Sequence, residues 1–186
     1  VGRKLAITGK GRCNVTNDCD KGEFLKNVIS NPKFLYASIN YFSTEDTKAF
    51  FENAGVPLKT ERGRRVFPVS DKAQDIVHAL KQAMLDYGAK LINERVIGIT
   101  IEDSKITGLK TDKGAYKFDA VILATGGASY PQTGSDGDGY KFVKKHGIEV
   151  TPLIPSLVPL ETTVNLSEIM GVSLKNVTLK IKNNDT

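Results

Sequence analysis

Asp119-Ala120-Val121-Ile122-Leu123-Ala124-Thr125-Gly126-Gly127 is the stretch on which the fold turns. Residues 120–124 are apolar without interruption, the pattern of a strand covered on both faces, as the strands of a parallel sheet are. Parallel strands need crossover connections, so the run argues for an α/β domain. In open sheets of that kind ligands bind beyond the carboxyl ends of the strands. Thr125, Gly126 and Gly127 occupy that end, where glycine lets the main chain pass close to a bound group. Any strand-to-loop exit can use glycine, so the inference needs a second stretch.

That stretch is Gly9-Lys10-Gly11-Arg12-Cys13-Asn14-Val15-Thr16-Asn17, entered through Gly2-Arg3-Lys4-Leu5-Ala6-Ile7-Thr8. Gly9 and Gly11 can take positive φ, while Arg3, Lys4, Lys10 and Arg12 supply charge, a combination that suits a phosphate or another anion. Thr8, Asn14, Thr16 and Asn17 either bond a ligand or bond their own backbone. A solvated basic turn fits the same residues, since no spacing matches a P-loop or the dinucleotide fingerprint.

Composition sets the outer limits. With 186 residues, 40% of them hydrophobic, the chain can bury a core and form one domain, or one and part of another. Net charge +5 and a pI near 9.1 favour anionic partners, yet Lys and Arg are spread along the chain. No apolar run approaches the roughly 20 residues of a membrane span, and no signal-peptide pattern is present, so the expected location is the cytoplasm with no membrane partner. Cys13 and Cys19 are too few for a disulfide framework or a zinc site. Each reads as a reduced thiol, with a reactive thiolate at Cys13 beside Arg12 as the alternative.

Between the two glycine stretches, residues 23–30 and 34–42 read as short helices around Asn31-Pro32, with Phe34, Leu35, Ile39 and Phe42 on one side. Thr44 before Glu45-Asp46 predicts a capped helix through Asn53 that stops at Gly55, with Phe50 and Phe51 as packing residues. Residues 56–61 and 65–68 read as a hairpin across Arg62-Gly63-Arg64. Its arginines, Arg62, Arg64 and Arg65, form either a solvated turn or a site for an acidic substrate or a nicotinamide phosphate. Ser70, Asp71 and Asp75 open the clearest helix, with Ala73, Ile76, Val77, Leu80, Ala83, Met84 and Tyr87 at helical spacing and Gly88 as its end. His78 and His146 read as surface residues, and no ligand set for a metal appears.

Residues 89–92 and 95–102 read as strands, and 105–111 and 115–118 continue the second of them into a meander. Gly137-Asp138-Gly139 lacks the third glycine of the dinucleotide fingerprint, and Asp136 and Asp138 would repel a pyrophosphate; read as an Asp-x-Asp metal loop, the pair lacks the remaining EF-hand ligands. Ser135 or Asp136 is the expected cap of a helix over 140–146. Tyr130 can reach a ligand or pack beneath its loop. Beyond Thr151, Pro152, Pro155 and Pro159 make an extended connector, and 174–182 alternates as a strand. The expected boundary is 1–155 against 156–186.

Four blocks together resemble one family. They are Arg3 to Asn17 as quoted above, Thr60-Glu61-Arg62-Gly63-Arg64-Arg65-Val66-Phe67-Pro68-Val69-Ser70, Ala124-Thr125-Gly126-Gly127-Ala128-Ser129-Tyr130-Pro131-Gln132-Thr133-Gly134 and Pro155-Ser156-Leu157-Val158-Pro159-Leu160. Their order and type are similar to those of the bacterial NAD(P)/FAD-dependent oxidoreductases of the bile-acid-inducible and aminoacetone-oxidase kind.

The resemblance implies a Rossmann-like FAD-binding α/β domain of the two-dinucleotide-binding-domain type with a β-meander, followed by the start of a β-rich inserted substrate domain. It implies FAD as cofactor, NAD(P)H as a possible co-substrate, and hydride transfer between flavin and NAD(P)H or a small organic substrate. It places Arg3, Lys4, Thr8, Gly9, Gly11, Arg12, Cys13, Asn14, Val96, Ala124, Thr125, Gly126 and Gly127 against the cofactor, and Arg62, Arg64, Arg65 and Tyr130 towards substrate. No catalytic acid or base is singled out.

Members of the family open with a strand, a G-x-G-x-x-G turn and an acidic ribose ligand, and close with a further flavin-contacting segment. The sequence lies between these features, so it reads as an internal piece of a longer flavoprotein that holds FAD weakly or not at all. The rival reading is a non-catalytic α/β module that binds an acidic partner or nucleic acid through its basic loops. Nucleic acid is not the expected partner, because aromatic residues are not interleaved with those arginines.

Overall fold

The computed structural model describes residues 2–155, 163–173, 177, 178 and 180. The chain clusters into two units, Val1–Val150 and Thr151–Thr186. The first opens with α1 (Arg3–Gly11), which is regular helix only to Ile7. Thr8 is extended, and Gly9 and Lys10 are left-handed at φ 56° and 60°. The stretch read as a basic loop is thus a short helix running into a bend. After β1 (Thr16–Asn17), α2 (Lys21–Lys26) starts where Asp20 accepts the Glu23 N–H at 2.8 Å. A 3-10 turn at Pro32–Leu35 then leads into α3 (Tyr36–Tyr41).

The single helix expected over 34–42 is therefore split. Only Ile39 on it is buried, and Phe34 and Phe42 face solvent. In α4 (Thr44–Asn53) the cap is Ser43, one residue before the expected Thr44. Its hydroxyl accepts the Asp46 N–H at 3.1 Å while Asp46 accepts the Ser43 N–H at 2.7 Å, a reciprocal box of the kind Ser-x-x-acid sequences form. Thr44 instead donates to the Cys19 carbonyl at 2.6 Å.

β2 (Leu58–Glu61) and β3 (Arg65–Pro68) form the expected hairpin, with Thr60 opposite Val66, Glu61 opposite Arg65 and Gly63 turning at φ 77°. β1 adds to the other edge of β3, giving an antiparallel sheet of order β1-β3-β2. α5 (Ala73–Asp86) buries Ala73, Ile76, Val77 and Ala79 along one stripe, the three-and-four spacing of an amphipathic helix. It ends as glycine permits: Gly88 turns left-handed, its N–H reaches the Leu85 carbonyl at 2.8 Å and the next N–H reaches Met84 at 3.1 Å. Cys13, Phe51, Val56, Ala73, Ile76 and Ala79 make the core, with Leu5, Val15, Phe50 and Leu58 packed against it.

The meander forms as β4 (Val96–Glu102), β5 (Lys105–Thr111) and β6 (Ala115–Lys117), in the order β4-β5-β6. Asp103 and Ser104 both take positive φ, 48° and 61°, which matches the twist of a two-residue hairpin. α6 (Asp138–Lys145) follows a long loop. Helices and sheets mix in one α/β unit.

Two expected strands are not formed. Residues 89–92 and 119–124 join neither sheet, and Ile122 is 93% exposed. A strand covered on both faces needs a neighbour on each side, and both sheets among the described residues are antiparallel and stop short of it. In the second unit Ser167–Ile169 is a 3-10 turn. The strand expected over 174–182 lies largely outside the described residues. Among the described residues no helix is long and apolar enough to cross a membrane, and no cluster of His, Cys, Asp and Glu suits a metal ion.

Candidate functional site

α1 has a different neighbour at each end. Its N-terminal turn carries Arg3 and Lys4, and Lys4 Nζ donates to the Ser129 hydroxyl at 2.7 Å and carbonyl at 3.1 Å. The same ammonium lies 6.0 Å from the Tyr130 ring centroid. The two glycine-bearing stretches, far apart in sequence, therefore meet.

Beside that contact is a cavity of about 560 Å³ that Arg3, Val96 and Thr125 line together with Arg95, Gly134 and Phe142. Three residues expected at the cofactor thus share one space. Gly134, at φ 95°, has no heavy atom within 4 Å of where a Cβ would stand, so its backbone is open to a ligand. Gly126 differs: a Cβ there would come 3.0 Å from the Ser135 hydroxyl, so its glycine serves loop packing. The Gly137 N–H closes this loop onto the Gly127 carbonyl at 3.2 Å.

Four carboxylates also line the cavity: Glu94, Asp112, Asp136 and Asp138. Each is engaged. Glu94 accepts from Thr111 at 2.6 Å and from the Tyr116 hydroxyl at 3.0 Å, which holds that phenol above its ordinary pKa. Asp112 accepts the Arg95 N–H at 3.1 Å. The Arg95 guanidinium spans to Asp136 at 2.5 Å and also pairs with Asp138. Lys141 donates to Asp138 at 2.8 Å, and that bond, followed by Arg95, holds its carboxyl below the ordinary range. Gly137 is the left-handed entry to α6; Asp136, though not at the cap position, accepts the Asp138 N–H at its start at 3.3 Å, and Ser135 does not cap it. Arg3 has no ion pair among the described residues, which leaves it as the cavity cation available to an anionic group.

The C-terminal end of α1 is the bend at 8–14. Gly9, Lys10, Gly11 and Cys13 all have positive φ. A Cβ on Gly9 would sit 2.9 Å from the Asn14 nitrogen and 3.0 Å from the Phe67 ring, whereas one on Gly11 would meet nothing within 4 Å. Gly9 is therefore fixed by packing, and Gly11 leaves an open edge for a ligand. The Cys13 N–H reaches the Thr8 carbonyl at 3.0 Å. Its side chain is fully buried and burial raises the thiol pKa, so the thiolate alternative for Cys13 falls: Arg12 is adjacent in sequence, but desolvation dominates.

Arg12 itself has its partners in the hairpin and the turn after it. It lies 4.0 Å from the Phe67 ring centroid and pairs with Glu61 at 2.9 Å and Asp71 at 3.2 Å. Arg65 approaches the same ring at 5.7 Å and donates to the Arg62 carbonyl at 3.1 Å. The arginine hairpin thus adjoins the bend, while Tyr130 adjoins the cavity. Sequence reasoning missed Arg95, Glu61, Phe67 and Asp71. The acidic Asp-x-Asp pair at 136 and 138 is the sequence signal for a neighbouring cation, and nothing in the sequence points to residue 95.

The sequence profile of the HI0933-like protein Rossmann domain matches residues 1–184. The chain belongs to the HI0933-like Rossmann-domain family. It is a family of bacterial FAD-binding oxidoreductases. The chain is 31% identical over 170 residues to a 3-dehydro-bile acid delta(4,6)-reductase of Clostridium scindens, covering 87% of this chain and 39% of that protein. It is 28% identical over 182 residues to a ribosomal RNA dihydrouridine synthase of Haemophilus influenzae, covering 94% and 44%. An L-aspartate oxidase of Saccharolobus solfataricus is 33% identical over 107 residues, covering 50% and 22%. The chain thus spans about two fifths of the length of the first two of these relatives.

The site fits the family's cofactor in its donor set. Arg3 offers a charge for a phosphate, Thr125 a hydroxyl and Gly134 open backbone, while the four carboxylates are held by partners within the protein.

Proposed function

We propose that this chain forms the nucleotide-facing part of an FAD-dependent oxidoreductase that moves hydride between flavin and NAD(P)H or a small organic substrate. One observation carries the reading: Arg3 of α1, Val96 of β4 and Thr125 of the loop between β6 and α6 line one cavity next to the Lys4–Ser129 contact. The flavin, when bound, supplies the two-electron chemistry, and the protein supplies binding and orientation. In this reading Arg3 holds a phosphate oxygen, Thr125 and the open edge of Gly134 fix the sugar, and Val96 presents its backbone to the base. Thr8, Gly9, Gly11, Arg12, Cys13 and Asn14 shape the neighbouring wall, with Ala124, Gly126 and Gly127 opposite. Tyr130 and the Arg62–Arg65 hairpin remain substrate-side candidates.

The test is a titration of FAD into the purified protein, followed by flavin fluorescence, with Arg3→Ala and Thr125→Val beside the parent. Loss of one charge-assisted hydrogen bond at an exposed site predicts about tenfold weaker binding for Arg3→Ala. Equal affinity of parent and Arg3→Ala would remove Arg3 from the site.

A second reading takes RNA as the reduced substrate. The arginines at the hairpin tip and the net charge of +5 favour it, as does the name of the Haemophilus influenzae relative. Against it, the exposed aromatic residues Phe34, Tyr36 and Tyr41 lie in a stretch, 18–53, with four lysines and six carboxylates. Such a face repels a polyanion. Binding of single-stranded RNA that weakens steeply with salt, and weakens further in Arg62→Ala/Arg64→Ala, would favour RNA; no such binding favours the small substrate.

A further inference from the structure

Arg12 is the residue whose surroundings depart furthest from what its sequence position suggests. Within a basic, glycine-bearing bend it is a natural phosphate ligand. Its guanidinium instead closes a ring of four charges in which each cation meets both carboxylates. Arg12 pairs with Glu61 at 2.9 Å and Asp71 at 3.2 Å, and Lys59 pairs with Asp71 at 2.7 Å and Glu61 at 3.7 Å. The Arg12 side chain is 32% exposed, and its Cζ lies over the ring of Phe67, the largest of the fully buried side chains. A phosphate approaching that guanidinium would have to displace two carboxylates and would feel their repulsion.

The same elements grip the bend itself. The Phe67 ring that carries Arg12 also fills the space a Gly9 Cβ would need, and the Val15 N–H bonds the Val66 carbonyl at 2.9 Å next door. Lys10 and Cys13 hold left-handed φ without being glycine, a conformation that persists only where surroundings over-determine it. The Arg12 ring ties that strained course to the ends of β2 and β3.

We propose that Arg12 is a positioning residue: it holds residues 9–14 in their left-handed course from behind, through Glu61, Asp71 and the Phe67 ring, and does not itself take a cofactor phosphate. This rests on the reading of the bend as a cofactor wall, but its structural half can be read without any cofactor.

Cys13 reports on the bend, because its buried thiol is reached by solvent only when the bend opens. In a Cys19→Ser background, which removes the other thiol, the rate of labelling by a disulfide reagent is measured for Arg12→Ala, Arg12→Lys, Glu61→Gln and the Arg12→Ala/Glu61→Gln double variant. The expected result is about five- to tenfold faster labelling in Arg12→Ala and in Glu61→Gln, the scale of losing a small exposed charge network. The double variant should add little to either single one, and Arg12→Lys should fall between parent and Arg12→Ala. Unchanged labelling in Arg12→Ala and Glu61→Gln overturns the proposal.

FAD titration of the same variants separates positioning from direct contact. A positioning role predicts that Glu61→Gln weakens FAD binding together with Arg12→Ala. Tighter or equal binding in Glu61→Gln, with loss only in Arg12→Ala, marks Arg12 as a phosphate ligand and also overturns the proposal. Absence of FAD binding in the parent would defeat the cofactor reading while the labelling result still stands or falls by itself.

Discussion

Residues 13–79 and residues 96–145 are held together by different forces. Among the described residues every buried apolar side chain lies between Cys13 and Ala79. In 96–145 the buried positions are Gly108, Ser135, Gly137 and Gly139, and what joins the elements there is polar: Arg95 to Asp136 and Asp138, Glu94 to Thr111 and Tyr116, Lys4 to Ser129. The first region is a scaffold with its own core. The second is a face arranged by hydrogen bonds, and such a face is ordered further by whatever binds it. Helix α1 belongs to both, packing on α5 while Arg3 lines the cavity and Lys4 bonds Ser129.

The contrast is open to direct attack, and the largest effect belongs to the scaffold. Phe67→Ala should cost about 3–5 kcal/mol in urea unfolding, since it empties a fully buried site beneath Arg12 and Gly9. Ile122→Ala should cost less than about 0.5 kcal/mol by the same measurement, as expected of an exposed position. A loss at Ile122 that approaches the one at Phe67 would show that 119–124 is packed, and would end the distinction between the two regions.

The next effect is at the start of α4. Ser43→Ala removes the cap that satisfies the Asp46 N–H and should cost about 1 kcal/mol. Asp46 adds a pH signature. Hydrogen bonds from the Ser43 hydroxyl and N–H hold its carboxyl below the ordinary range. A depressed pKa stabilises the folded state above the unfolded value, about 3.9, and that stabilisation is lost as pH falls through the folded value. The stability of the parent should therefore drop more steeply below about pH 4 than that of Asp46→Asn. Parallel pH curves would mean that the box is not formed.

The smallest effect belongs to the polar face. Arg95→Gln should leave the unfolding midpoint almost unchanged, yet it should speed amide exchange at 134–138, because Arg95 is what joins the start of β4 to that loop. Added salt should do the same to the parent and little to the variant. Equal exchange in both proteins would show that the loop is held by its own backbone bonds.

The scaffold was largely legible in the sequence, and for a physical reason. The stripe of α5, the Arg62-Gly63-Arg64 turn and the two-residue turn at Asp103-Ser104 are local devices, written within a few residues of where they act. The misreadings were non-local. The run 119–124 carries the composition of a buried parallel strand, but composition records what a segment can bury and not whether neighbours lie beside it. For Arg12 the sequence neighbours suggest an anion, while the carboxylates it pairs with come from 49 and 59 positions away. Arg95 gave no signal at all. In the site, glycine alone could not tell Gly9 and Gly126, which are packed tightly, from Gly11 and Gly134, which are open.

Whether one cofactor spans both glycine-bearing stretches is most directly tested by hydrogen exchange with increasing FAD. Joint protection is the expected result: amides in 3–14 and in 125–134 slow together, with the same half-saturating FAD concentration, while the α5 amides do not change. Protection of one segment without the other, or of neither at FAD concentrations that saturate flavin fluorescence, would contradict a shared site.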